Sequence, residues 1–275
     1  MRTKLFSWIL MLGVAVLFAA SAQAAGRTAG KIVAAKVHGT VTALNKADNS
    51  SRELHDSDAL SEGYVVTTAP KSSVVLLFAN GSAVNLSADS TLSIDEFLQD
   101  PFDPKYSVAE AKEEPSTSVT KLSLQRGELV GTVKHLNRDQ GSSFTVNTPV
   151  GAAGIRGTTF QFTLGTDDAG KPFARFSTAE GTVFLTSLDG TERLIPAGKQ
   201  VSVSFETTTS ATGEVTIVPG SVKVTGVDDM PAATQAAIAQ AVQAIIQANP
   251  AILNPPAPAP NATTPPVDTT PGDGH

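Results

Sequence analysis

From Lys31 to Val227 the chain is a succession of short runs of Val, Ile, Leu, Thr and Phe, cut about every six to ten residues by Gly, Pro, Asn or Asp. Runs this brief leave no room for helices that bury a face, and helical periodicity is nearly absent. β-branched and aromatic residues suit pleated, half-buried strands. The punctuation therefore predicts an all-β body, a twisted solenoid or a sandwich-like fold, over residues 31–227.

The clearest hairpin is "SVVLLFANGSAVNLS", in which Asn80-Gly81 is expected to supply two positive φ angles between strands at 74–79 and 82–86. Further turns are expected at Ala69-Pro70-Lys71, Gln125-Arg126-Gly127, Asp167 to Gly170, Leu188-Asp189-Gly190 and Pro196-Ala197-Gly198. A Gly-Thr-Val echo recurs in "HGTVTAL" at His38, "VGTVKHL" at Val130 and "EGTVFLT" at Glu180, with glycine expected to start a strand each time. The spacing is irregular, so this is no repeat array. The stretch from Leu98 to Ser118, rich in proline and charge, reads as a surface excursion.

The ends have a different composition. Arg2 and Lys4 precede an apolar run from Leu5 to Ala20 and then Ala22-Gln23-Ala24, the pattern of a secretory signal over 1–24 cleaved after Ala24. Its loss would leave 18 basic against 26 acidic residues and move the formal net charge from −6 to −8. Such a balance speaks against nucleic acid as a partner, and a cleaved signal leaves no stable membrane insertion. Only Met1 to Lys4 stand before the apolar run. An exported protein, periplasmic or extracellular, is expected.

After Val227 an amphipathic helix is predicted over 229–249, capped by Asp229, with Pro231 in its first turn and Ile238, Ala241, Val242, Ile245 and Ile246 on one face. Asn249-Pro250 ends it. Docking on the β body and docking on a partner are both open. From 254 to 275 the Pro, Ala, Thr and Asp composition predicts a disordered tail.

No chemistry-bearing constellation stands out. Cys is absent, which excludes disulfides and thiolate chemistry, and His38, His55, His135 and His275 lack metal-ligand spacing. No G-x-S-x-G elbow is present. Neither a catalytic residue, a cofactor nor a metal is expected. One stretch is unusual: "FTVNTPVGAAGIRGTTFQF", Phe144 to Phe162, holds a single charge, Arg156, among Gly151, Gly154 and Gly157. The glycines are read as a turn between strands at 144–147 and 158–164, and they imply that a ligand or another part of the chain comes close to the backbone.

"TPVGAAGIRGTTF" resembles the signature of FecR-like domains, together with "EGYVVTTAPKSSVVLLFANGSAVNLSADSTLSI", "LSLQRGELVGTV", "AEGTVFLTS" and "IPAGKQVSV", over about residues 37–205. The resemblance implies an extracytoplasmic all-β domain without enzymatic activity. It also marks Thr148, Pro149, Gly151, Gly154, Arg156, Gly157, Thr158 and Phe160 as motif residues, structural or part of a ligand or partner site. In the regulators of that family the domain controls a sigma factor through an amino-terminal cytoplasmic segment, which this chain is expected to lack. The function expected is an envelope-associated interaction or scaffold module with a protein partner. A ligand-sensing, surface-glycan-binding or anion-binding protein is the alternative, and a sigma-factor regulator is ranked last. Within the domain Arg156 is expected to tie strands together internally, with carbonyls and Glu128 or Glu180 as acceptors. Anion recognition is its other reading.

Overall fold

The computed structural model describes residues 27–248 apart from 104–107, 109–110, 168 and 211–214. The signal expected over 1–24, the helix stop at Asn249-Pro250 and the tail over 254–275 lie outside the described residues. The protein is mainly β with one C-terminal helix. Short strands come first: β1 (Thr28–Ala29), β2 (Ile32–His38), β3 (Val41–Asn45), β4 (Ser51–Glu53), β5 (Ala59–Leu60), β6 (Tyr64–Thr68), β7 (Ser73–Phe78) and β8 (Ala83–Leu86). Longer ones follow: β9 (Thr91–Gln99), β10 (Ser118–Thr132), β11 (Ser143–Thr148), β12 (Gly151–Thr166) and β13 (Pro172–Ser187). Then come β14 (Glu192–Pro196), β15 (Lys199–Ser204), β16 (Thr207–Thr209), β17 (Val215–Ile217), β18 (Lys223–Val224), β19 (Asp228–Asp229) and the helix α1 (Ala232–Gln247).

Three long strands change neighbours midway. The first half of β10 pairs with β9 and, in parallel, with β11, whereas its second half pairs with β8 and β12. β12 passes from β11 to β10, and β13 passes from β15 to β14. Two layers result, β14-β13-β12-β11-β10-β9-β6-β3-β4 and β15-β13-β12-β10-β8-β7-β2-β5, sharing the bent strands in a sheet closed on itself. Of the two architectures left open by the sequence, this is the sandwich-like one.

One device is used three times, at the bend of β10, at the paired bends of β12 and β13, and where the β2–β3 and β6–β7 connections meet. In each, a residue with positive φ (Lys71, Asp89 or Gly157) precedes a buried hydroxyl, Ser72, Ser90 or Thr158. That oxygen stands within hydrogen-bond reach of the carbonyl two residues earlier, of Pro70, Ala88 or Arg156. It also accepts the backbone N–H of Thr40 (2.9 Å), Glu128 (2.9 Å) or Thr182 (3.3 Å). The residue before each of these donors is a positive-φ glycine, Gly39, Gly127 or Gly181. No side chain fits there, since a Cβ on Gly127 would lie 2.1 Å from Ser90 Oγ. A donor and an acceptor that the bend or connection takes from the ladders are thereby satisfied internally.

This device corrects the sequence reading at several points. Gln125 to Gly127 is no turn but the bend inside β10, and Gly151 to Gly157 is strand, with the irregularity confined to 156–159. The true internal echo is Gly39, Gly127 and Gly181; Gly131 is the penultimate residue of β10, where a Cβ would come within 2.4 Å of the Phe160 ring. Asn80 is not a positive-φ residue: the hairpin is a three-residue loop closed by Phe78 N–H to Ser82 O, with Gly81 alone left-handed. Asn80 is buried instead, donating to Ser118 Oγ at 3.0 Å.

Between the layers lies one large core, in which Phe78 meets Phe97 edge-on at 5.1 Å and Phe162 meets Phe176 at 5.0 Å. The second layer is covered on its outside as well. Ile238 and Ala241 of α1 pack with Met230 on Val130, while Ala244, Ile245 and Ala248 reach Ala35, Val75, Leu77 and Ala83. The helix therefore docks on its own β body. Its face differs from the expected one, because Ile246 is 63% exposed. Asp229 does not cap it but sits in β19, paired with Lys199 Nζ at 2.6 Å, and Pro231 holds the cap position. The excursion after β9 is not purely superficial either: Val108 is buried against this second cluster, and the buried Glu114 carboxylate accepts from Ser118 Oγ and Asn137 N–H, both at 2.6 Å.

Candidate functional site

The other layer leaves its outer face uncovered at the β12–β14 end. Strand alternation sends Ala153 and Ile155 into the core, so Ala152, Gly154 and Arg156 face outward. Register places Gly154 opposite Phe184 of β13, and Phe184 opposite Leu194 of β14. Both large side chains stand outside the core, at 47% and 52% exposure. In the other direction the same row continues through Thr145 to Lys121 and Glu96, which form an ion pair at 2.5 Å.

At the apolar end the surface dips into an open groove of ≈ 320 Å³ lined by His135, Arg156, Thr182, Phe184, Leu194 and the backbone of Gly157 and Gly181. No carboxylate lines it. Arg156 is exposed, and its guanidinium has no hydrogen-bond or ion-pair partner among the described residues. The expected internal tie is therefore absent: Glu128 accepts from Ser87 Oγ at 3.0 Å and Glu180 from Thr159 Oγ1 at 3.3 Å. The next cation along the chain from His135 is turned away. Lys134 donates to the Ala111 carbonyl at 2.5 Å, and burial lowers its pKa from the ordinary lysine value.

The motif residues divide into two groups. Thr148 Oγ1 closes a turn by donating to Gly151 O at 2.8 Å, and a Cβ on Gly151 would meet Thr186 O at 2.4 Å. Gly157 and Thr158 make the bend, and Phe160 is core, 4.6 Å from Phe162. Pro149 is exposed in the preceding turn. Gly154 and Arg156 have no such role. Gly154 is extended, and a Cβ there would come no closer than 3.9 Å to any neighbour, so nothing within the described chain requires a glycine. The bend uses only the backbone carbonyl of Arg156, which Pro70 and Ala88 supply in the two equivalent places. His135, Thr182, Phe184 and Leu194 were not signalled by the sequence, because they reach the groove from three separate segments.

Residues 64–184 match the family model described as FecR protein. Over that stretch, somewhat less than half of its length, the chain is similar to FecR domains. The match lies inside the 37–205 span of the resemblance and takes in the whole motif from Thr148 to Phe160, two of the three places where the Gly–hydroxyl device is used, and Phe184 at its last residue. Two crystal structures of a candidate anti-sigma factor from Parabacteroides distasonis are similar to the chain at 14% identity and a TM-score of 0.36, covering 56% of this chain. The chain spans 58% of that protein's length. No curated protein matches it.

Proposed function

We propose that this chain is a FecR-domain protein, a non-enzymatic module exported from the cytoplasm that docks a protein of the cell envelope on the outer face of β12–β14. The observation that carries the reading is Gly154. In a strand a glycine forgoes β-propensity and side-chain packing, and here neither backbone conformation nor a neighbouring atom demands it. What it leaves is bare backbone between an exposed Phe184 and a partnerless arginine. The export signal read in residues 1–24 supports the compartment.

The groove is open on one side, whereas pockets for free small molecules usually enclose about 70–90% of the ligand surface. A macromolecule that brings its own cover suits it better than a diffusible ligand or sugar. A photo-crosslinking residue in place of Phe184, introduced in the native cell, tests this. It is expected to give a discrete protein adduct, with none from the same residue in place of Val215 on the separate β16–β17 hairpin. Equal labelling from both positions, or none from Phe184, contradicts the docking face.

A further inference from the structure

We infer that the segment docked on this face is acidic and apolar, presenting a carboxylate beside a large hydrocarbon side chain; the inference rests on the docking reading above. The face itself states the complement. Two other cations of this layer are neutralised, Lys121 by Glu96 at 2.5 Å and Lys46 by Asp95 at 3.2 Å. Arg156 stands apart in a chain of 20 basic and 26 acidic residues, with no carboxylate along the groove. A guanidinium offers a planar fork of donors that a carboxylate fills with two parallel bonds. Beside it the rings and methyls of Phe184 and Leu194 form an apolar floor, and desolvating that floor strengthens any ion pair formed next to it.

The mode of approach follows from β14. Its partner strand is β13, and the far edge is guarded twice: Pro196 has no N–H to offer, and Arg193 lies on the core-facing side, opposite the buried Leu185. Adding a strand at that edge is therefore disfavoured. The occupant lies across the face, its carboxylate over Arg156 and its apolar side chain on Phe184 and Leu194, with Gly154 admitting it to backbone contact. A groove of ≈ 320 Å³ is at the low end for whole ligands and holds a few side chains.

The test uses two synthetic peptides, acetyl-Gly-Asp-Phe-Asp-Leu-Gly-amide and its isostere with Asn in place of each Asp, titrated into the isotopically labelled exported chain and followed by amide shifts. The acidic peptide is expected to bind about tenfold more tightly than the amide isostere, the worth of one charge-assisted pair. Shifts should centre on Gly154, Thr182, Phe184 and Leu194. Arg156→Gln should abolish the preference with an unchanged melting midpoint, while Arg193→Gln leaves it intact. Equal affinity of the two peptides, a preference that survives Arg156→Gln, or shifts centred elsewhere would overturn the inference. The two readings fail separately: an adduct at position 184 without peptide preference removes the acidic chemistry and keeps the docking face. A peptide preference without an adduct keeps the chemistry and removes the envelope partner.

Discussion

At the scale of residues, the motif from Thr148 to Phe160 does two jobs with different members. Gly157 and Thr158 shape the backbone, Phe160 fills the core, and Gly154 with Arg156 shapes the surface. The arginine was conspicuous in the sequence, yet its direction was misjudged. Reading the glycines as breakers hid the alternation that runs through them. Once 151–166 is a single strand, the parity that buries Ala153 and Ile155 turns Arg156 outward. The same residues explain a measurable asymmetry among glycines. Gly127→Ala should cost about 2–4 kcal/mol, left-handed strain plus a clash with Ser90, whereas Gly190→Ala, at φ +81 with open space around it, should cost only the strain of about 1–2 kcal/mol. Urea unfolding of the two variants checks this, and equal losses would mean that the contact with Ser90 does not set the bend.

At the scale of elements, α1 shows what periodicity conveys and what it omits. The apolar stripe of the helix was legible, but its seat was not. That seat is assembled from Ala35, Val75, Leu77, Ala83 and Val130, small or medium residues on β2, β7, β8 and β10, none of which signals a helix above it. The run "SVVLLF" in β7 does carry a trace, because it is apolar at successive positions, as a strand buried on both faces must be. The helix is held at its first half by Ile238, which is 3% exposed, while Ile246 is 63% exposed. Ile238→Ala should therefore lower stability by about 2 kcal/mol, and Ile246→Ala should stay within about 0.5 kcal/mol of wild type. Comparable losses for the two would mean that the helix docks in another orientation.

At the scale of the whole molecule, bent strands let one sheet supply both layers of the body. The turn-rich, β-branched text made the fold class legible, while the bends were not, since Gly127, Gly157 and Gly181 look like ordinary turn glycines until the strands on either side are known to be continuous. The faint Gly-Thr-Val echo pointed to two of the three echoing glycines and missed the third by four residues, at Gly127 in place of Gly131. The architecture leaves the two outer faces unequal: one is sealed by α1 and by Val108, the other bears Arg156 over a cleared strand. Filling that cleared place tests most directly whether it is kept for a partner. In Gly154→Thr, melting and photo-crosslinking from position 184 are measured side by side. The expected result is a melting midpoint equal to or above wild type, because a β-branched residue replaces glycine in an extended strand with room for it, together with loss of the protein adduct. A lowered midpoint would show that the glycine serves the fold, and an undiminished adduct would show that this face is not where the partner binds.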